Sequence, residues 1–429
     1  MTTNTRSIFD ELRWRGLIHD YVEGVDKLLA EQKVTLYNGF DPTADSLHVG
    51  HLVPMLALAR FQRFGHHVMA LAGGGTGMIG DPSGKTDERS LLSVDEVQYN
   101  VEKIKKQLAR FLDFESPTNP ARIINNADWL MQLKLIDFLR DIGKHFSVNS
   151  MLAKDSVQSR ITRESGISYT EFSYSLLQSY DFLYLFETEG CLLQTGGSDQ
   201  WGNITAGFDL IRRKTGQSAY GITFPLVKKK DGTKFGKTAG NSVWLDSART
   251  SPYKFYQFWL NTDDGDVINY LKVFTFFEEA KIQSFESEMA AHPELRSAQK
   301  ALAREMTALM HGESALDQAL KASDVLFGGT LDGLTADDLN DIFSDVPRGH
   351  ISRSLLDADG ISIISLLVDS GFLKSKGEAK RAIAEGGINV NNQRVAEDSA
   401  FIPTDSFIDG KFIVLRRGKK NYYLVALED

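Results

Sequence analysis

The sequence predicts an α/β protein built on a doubly wound parallel sheet, followed by a helix-rich segment and a small α+β module. Three observations carry that expectation. Two β-type runs, Thr35-Leu36-Tyr37 and Val68-Met69-Ala70-Leu71, bracket an apolar helical pattern, the signature of a β-α-β unit. Glycine- and proline-rich turns follow the runs, where open parallel sheets keep their ligand crevice. Charge is also uneven: net charge is −9, yet residues 361–429 hold ten Lys/Arg against nine Asp/Glu, leaving −10 on the rest.

At 429 residues, about three domains of roughly 150 residues each are expected. The expected segments are 1–240, 241–328, a linker at 329–360 and a terminal module at 361–429. A composition of 42% hydrophobic and 24% charged residues is that of a folded globular chain. The single cysteine, Cys191, excludes an internal disulfide and a four-cysteine zinc site and fits a reducing compartment. No apolar run follows Met1–Arg6, and none approaches the ~20 residues of a membrane span, so a cytoplasmic protein is expected.

In chain order, residues 8–32 read as amphipathic helices around Gly16, with no chemistry. After the first β-type run, Gly39-Phe40-Asp41-Pro42 makes a break. Leu52, Leu56 and Ala59 then fall at helical spacing, with Pro54 allowed only in a first turn. The helix is therefore expected from about Gly50-His51 to Gly65. His48 and His51 stand at its N-terminus, among free N–H groups and the positive end of the helix dipole, a place for phosphate. Gly50 leaves room for a ligand against the backbone.

The run from Gly73 to Thr86 offers two motif traps. Gly75-x-Gly77-x-x-Gly80 matches a dinucleotide fingerprint, but Asp81-Pro82-Ser83-Gly84 forces a turn where its helix should start. A Walker A loop needs four residues between its glycines, and Gly80 to Gly84 has three. The better reading is a glycine floor for a nucleotide, then a mobile loop with Lys85 and Arg89. Asp81 faces the crevice. Beyond it, 94–113, 128–142 and 147–160 read as helical, with a short strand at Arg122-Ile123-Ile124.

Within 171–183, Tyr174, Gln178 and Asp181 fall at i, i+4 and i+7 of a helix, one polar face suited to a small ligand with an ammonium and a hydroxyl. A strand at 191–195 leads into Gly196-Gly197-Ser198-Asp199-Gln200, where two glycines permit close approach. Asp199 can accept from a hydroxyl of a ligand lying there. Residues 203–214 read as a helix. Lys228 to Thr238 is a basic stretch that turns at Asp231-Gly232. Residues 251–320 are helix-rich. In the terminal module, Leu373–Ile383 is a helix carrying Lys374, Lys376, Lys380 and Arg381, and Arg416, Arg417, Lys419 and Lys420 cluster at a strand end, a footprint for RNA.

These motifs carry a resemblance. Asp41-Pro42-Thr43-Ala44-Asp45-Ser46-Leu47-His48-Val49-Gly50-His51 resembles the ATP-binding signature of class I aminoacyl-tRNA synthetases, with Val49 where isoleucine or leucine is usual. Lys234, Lys237 and Thr238 occupy places of the second signature, Lys-Met-Ser-Lys-Ser; Phe235, Gly236 and Thr238 depart from that consensus, a variant that resembles bacterial tyrosyl enzymes. The terminal module is similar to the S4 RNA-binding domain. Nearly the whole chain, from about Leu36 to Leu427, resembles bacterial tyrosyl-tRNA synthetases.

The resemblance implies a Rossmann-like catalytic domain, a helical tRNA-binding domain and an S4-like module. It implies that tyrosine's ammonium is bound by Tyr174, Gln178 and Asp81, its phenol hydroxyl by Asp181 with Tyr37, and its carboxyl side by Gln200. ATP is assigned to Gly39, Asp41, Gly50, Gly197 and Asp199, and its triphosphate to His48, His51, Thr43, Lys85, Arg89, Lys234, Lys237 and Thr238. Mg²⁺ serves as counter-charge, with no metal ligated by the protein. Partners would be tRNA, tyrosine, ATP and a second copy of the chain. A nicotinamide-dependent oxidoreductase, a noncatalytic RNA-binding protein and a tryptophanyl enzyme remain the alternatives.

Overall fold

The structure, a computed structural model, describes residues 6–83, 92–162, 166–228, 230, 232, 235–238, 241–326, 328–344, 346–418 and 421–428, with backbone only at 155, 237, 238 and 241. Contacts group the chain into two compact units, 1–246 with 262–298, and 247–261 with 299–429.

The first unit is a five-stranded sheet: β1 (Thr35–Phe40), β2 (His67–Ala72), β3 (Arg122–Asn125), β4 (Cys191–Gly197) and β5 (Tyr220–Phe224). Their order is β3-β2-β1-β4-β5, and every pairing is parallel. Parallel strands need crossovers, and helices cover the sheet as a result. Val34, Leu36, Val68, Ala70, Leu193 and Ile222 are all buried, as strands sandwiched on both faces must be. The first crossover begins as a single 3₁₀ turn at Val49–His51 and continues as the helix Leu52–Arg63, with Pro54 in its first turn. Strand β1 runs through Gly39 to Phe40, so the break predicted at 39 falls just after the strand.

Two helical stretches are shorter than expected. The helix from Val94 stops at Leu108. Residues 127–161 break into Ala127–Leu130, Leu135–Asp141, Val148–Leu152 and Asp155–Ile161. Their apolar residues do not form one buried stripe: Leu135 and Ile136 are 69% and 71% exposed, so packing does not extend either helix. By contrast, Tyr169–Glu189 is one long helix, begun by the Ser168 cap and ended at Gly190 in the left-handed region.

In the second unit the helices Pro252–Leu260, Glu313–Val325 and Ala336–Ile342 accompany a five-stranded sheet. The stretch read as a linker, 329–360, holds the last of these helices and the strand Arg348–Ser352, which pairs in parallel with Asn421–Glu428. Gly328 and Gly333 mark turns at φ +91° and +78° between packed elements. Leu339 and Phe343 share a core with Val414, Tyr422 and Leu424.

Candidate active site

Strands β1 and β4 are neighbours whose onward connections run to opposite edges of the sheet. Their carboxyl ends therefore open a crevice at the switch point, where ligands of such sheets bind. Tyr37 lies on β1 and points into a core with Phe182, Trp129 and Leu71. It is 1% exposed, and its hydroxyl has no hydrogen-bond partner among the described residues. Gln194, level with Tyr37 on β4, likewise buries a side-chain oxygen without a partner.

The helix Tyr169–Glu189 brings Asp181 beside Tyr37. Asn126 Nδ2 donates to one Asp181 oxygen at 2.9 Å, and Trp129 Nε1 donates to the other at 2.7 Å. Burial pushes the Asp181 carboxyl up to about 7, although these two donors pull it down. Burial, and then the Asp181 charge, also hold the Tyr37 phenol well above its ordinary range.

A continuous hydrogen-bond chain leads from this end of the pocket to the other. Asn126 Nδ2 also donates to Thr76 Oγ1 at 3.0 Å, and Gly75 N–H donates to Asn126 Oδ1 at 2.7 Å. Thr76 Oγ1 donates to Asp41 at 2.9 Å, and the Tyr174 hydroxyl donates to the other Asp41 oxygen at 2.8 Å. Tyr174 and Asp181 are both buried on one helix, as the i, i+7 spacing predicts, and Gln178 between them is half-buried. Asp41, grouped with ATP from its place in the first signature, has its carboxylate turned to Tyr174. Thr76, Asn126 and Trp129 are site residues that sequence reasoning missed; no periodic signal marks them.

Asp81 is buried and accepts from Ser83 N–H at 2.9 Å and from Gln200 Nε2 at 2.6 Å. Lys154 is a further residue not foreseen. Its ammonium has no partner among the described residues, and burial pushes it down to about 8 against the pull of Asp81.

On the nucleotide side, His48 caps the 3₁₀ turn. Gly50 N–H donates to His48 Nδ1 at 3.1 Å, and His48 N–H donates to His51 Nδ1 at 3.2 Å. With both Nδ1 atoms accepting, each neutral ring keeps its proton on Nε2, as a donor. The rings lie 4.1 Å apart. A Cβ at Gly50 would stand 2.7 Å from the His48 ring, and one at Gly197 2.5 Å from Asp199 Oδ1, so a side chain at either glycine would push its polar neighbour aside. Thr43, Gly39 and Asp199 are exposed at the same strand ends. Leu226, just past β5, is 54% exposed and reaches over Gly197, an apolar surface at the crevice rim.

The first and second signatures meet through the main chain. Val49 N–H donates to Val243 O and Val243 N–H donates to Gly236 O, both at 3.0 Å; His48 forms a bridge with Trp244. Lys237 and Thr238 are described in backbone only, as the short strand Lys237–Thr238. Lys85, Arg89, Lys234, Lys419 and Lys420 lie outside the described residues. In the second unit, Lys374, Lys376, Lys380 and Arg381 are exposed on or next to the helix Lys376–Ala384. Lys380 pairs with Asp398 at 3.4 Å and Arg417 with Glu378 at 2.8 Å. Arg416 instead turns inward, its guanidinium 5.5 Å from the Tyr422 ring.

Residues 29–328 match the family model of class I tRNA synthetases (W and Y), and residues 338–425 match the C-terminal domain of tyrosine–tRNA ligases. A tyrosine–tRNA ligase of Roseiflexus castenholzii is 59% identical over 98% of this chain and 99% of its own. That of Geobacillus stearothermophilus is 55% identical over 97% of this chain and 98% of its own. A C-terminally truncated mitochondrial tyrosyl-tRNA synthetase of Aspergillus nidulans superposes with a TM-score of 0.68 at 33% identity, covering 75% of this chain and 94% of its own. With a family model matching residues 29–328 and a relative 59% identical over 98% of its length, the chain belongs to the class I aminoacyl-tRNA synthetases, among the tyrosine–tRNA ligases.

Proposed function

We infer that this chain activates tyrosine with ATP and then esterifies tRNA with it. In the first step a tyrosine carboxylate oxygen attacks the α-phosphorus and the bond to the β-phosphate breaks, giving tyrosyl-adenylate and pyrophosphate. In the second, the terminal ribose hydroxyl of tRNA takes the acyl group and AMP leaves. The nucleophile is already an anion, so no general base is needed in the first step. Positioning and charge stabilisation do the chemistry.

The observation that carries the choice of tyrosine is the buried Tyr37 hydroxyl beside Asp181, which has no partner among the described residues. A phenol hydroxyl can donate to Asp181 and accept from Tyr37. Phenylalanine would leave both stranded, and tyrosyl enzymes are themselves the standard illustration of rejection by unpaired polar groups. Tryptophan has no hydroxyl to offer there. Tyr174, Asp41, Asp81 and Gln178 form the acidic end that suits the ammonium, and Gln200 the carboxyl side. Gly39, Gly50, Gly197 and Asp199 suit the nucleoside. His48, His51, Thr43, Lys85, Arg89, Lys234, Lys237 and Thr238 are assigned to the triphosphate.

Mg²⁺ would enter with the ATP phosphates, since that ion is usually held by one or two carboxylates and substrate oxygens. The basic helix face of the terminal module would bind tRNA. Met131, Leu135, Ile136 and Val148, at 61%, 69%, 71% and 59% exposure, give an apolar surface suited to a second copy of the chain. Among the described residues no helix is long and apolar enough to cross a membrane, and the reaction belongs with the tRNA pool of the cytoplasm. Exchange of labelled pyrophosphate into ATP, run with each amino acid in turn, tests the reading. Exchange with tyrosine alone is expected; exchange driven by tryptophan or phenylalanine at comparable kcat/KM would overturn it.

A further inference from the structure

The second signature is anchored at both ends, by different means. Downstream, Gly236 sits at φ +85° with its carbonyl bonded to Val243, and a Cβ there would fall 2.7 Å from Val49 Cγ2. The segment is thus held by main chain against the first signature. Upstream, it is held by the helix Asp264–Phe274. The buried Asp266 carboxylate accepts Lys230 N–H with both oxygens, at 3.0 and 3.3 Å. A Cβ at Gly265 would come within 2.8 Å of Lys230 Cδ, so the chain passes close over the start of that helix. One to two turns further along, the Phe235 ring stacks on Phe274 at 5.1 Å and 17°, with the edge of Tyr270 also at 5.1 Å. Tyr270 and Phe274 meet edge to face at 5.6 Å and are 3% and 0% exposed, so the socket belongs to the core and does not yield.

The far end of that helix is fixed in turn. Arg15 donates to the carbonyls of Lys272, Thr275 and Phe277, and Arg60 to those of Val273 and Thr275. A rigid helix therefore presents two attachment points, Asp266 and a ring socket one to two turns further along, to the stretch that leads into Lys237.

We propose that Phe235 is a positioning residue for adenylate formation: its ring, seated between Tyr270 and Phe274, sets the height at which Gly236 meets Val49 and Gly50 of the first signature. This rests on the reading that the Lys237 segment serves the triphosphate. A flat ring in a two-walled socket fixes both depth and rotation, whereas a flexible apolar side chain fixes mainly depth. The signature's usual methionine can fill the socket, but it orients the backbone less strictly.

The test is pyrophosphate exchange, with kcat and the KM of ATP and tyrosine, together with tyrosine Kd by fluorescence, on the full-length protein. Variants are Phe235→Ala, Phe235→Met, Phe274→Leu, the Phe235→Ala/Phe274→Leu pair, and Lys237→Ala. Phe235→Ala is expected to lower kcat about tenfold, from the loss of two aromatic contacts, with tyrosine Kd unchanged within about twofold. Phe235→Met should recover to within about threefold of the parent, and the pair should be no worse than Phe235→Ala alone. Unchanged kcat in Phe235→Ala, a matching loss of tyrosine affinity, or losses that multiply in the pair would each overturn the proposal. If Lys237→Ala slows exchange while Phe235→Ala does not, the socket falls and the role of the signature stands. If Lys237→Ala leaves exchange intact, the signature reading falls and takes the socket with it.

Discussion

The Tyr37 hydroxyl has given up water without gaining a partner among the described residues, and such a group costs about 1–3 kcal/mol. Tyr37→Phe removes that cost along with the hydroxyl. The ligand-free protein is expected to be at least as stable to urea, while tyrosine Kd weakens by about three- to tenfold, the worth of one net hydrogen bond. A variant that lost both stability and affinity would mark the hydroxyl as structural. Asp181 adds a pH dependence. Its pKa is raised from 3.8 to about 7, first by burial. A raised pKa means that its contribution to folding stability is complete below the unfolded value and is lost as pH rises through about 7. Tyrosine binding has the opposite slope, because the phenol donates to the ionised carboxylate. Tyrosine Kd should tighten between about pH 6 and pH 8, and Asp181→Asn should flatten that profile and narrow the preference over phenylalanine. Trp129, which donates to Asp181 at 2.7 Å, offers the fluorescence signal for the titration.

At the scale of elements, the helix Asp264–Phe274 ends on carbonyls that two buried guanidinium groups satisfy. Arg60 is 2% exposed and bonds Val273 and Thr275, and Arg15 shares the Thr275 carbonyl. Burial pushes the Arg60 guanidinium well below its ordinary range, so this cap is held at a cost that its acceptors offset. Arg60→Ala would leave those carbonyls in a dry core and is expected to destabilise the protein by about 2–4 kcal/mol in urea unfolding. Arg15→Ala combined with it should be less than additive, because the acceptor is shared. Neither arginine was legible in the sequence, since a cap contributed from more than two hundred residues away leaves no local pattern. The same physics divides the rest. The β1–helix–β2 unit and the Tyr174–Asp181 face were legible because periodicity is local and those elements are long. Asn126, Trp129 and Thr76 were not, because they come from turns and reach Asp181 and Asp41 only once the sheet is assembled. Asp41 was grouped with its sequence neighbours, yet a side chain at a strand end is oriented by what packs across the crevice. Residues 127–161 looked like long helices because their apolar residues are spaced for them, but several of those residues face outward.

For the whole molecule, the exposed apolar residues of 131–148 make oligomeric state the first question. If this surface seats a second copy, as proposed, Ile136→Glu should shift sedimentation toward a monomer without unfolding the sheet, which lies elsewhere; unchanged sedimentation would show that this surface faces water. The second question is how a chain of net charge −9 holds a polyanion. The global field repels tRNA, so affinity has to come from a local face within the Debye length. Lys374, Lys376 and Arg381 are exposed and make no ion pair among the described residues, unlike Lys380 and Arg417, whose charges are partly answered by Asp398 and Glu378. Arg416 differs in kind, because it packs on Tyr422. Reversing Lys374, Lys376 and Arg381 to Glu together should weaken tRNA binding and flatten the plot of log K against log salt by about two, at about 0.7–0.9 per lost phosphate contact. Pyrophosphate exchange, which needs no tRNA, should stay within about twofold. Arg416→Ala should behave the other way, lowering the melting temperature more than the salt slope. An unchanged salt slope in the triple variant would move the tRNA site off this helix.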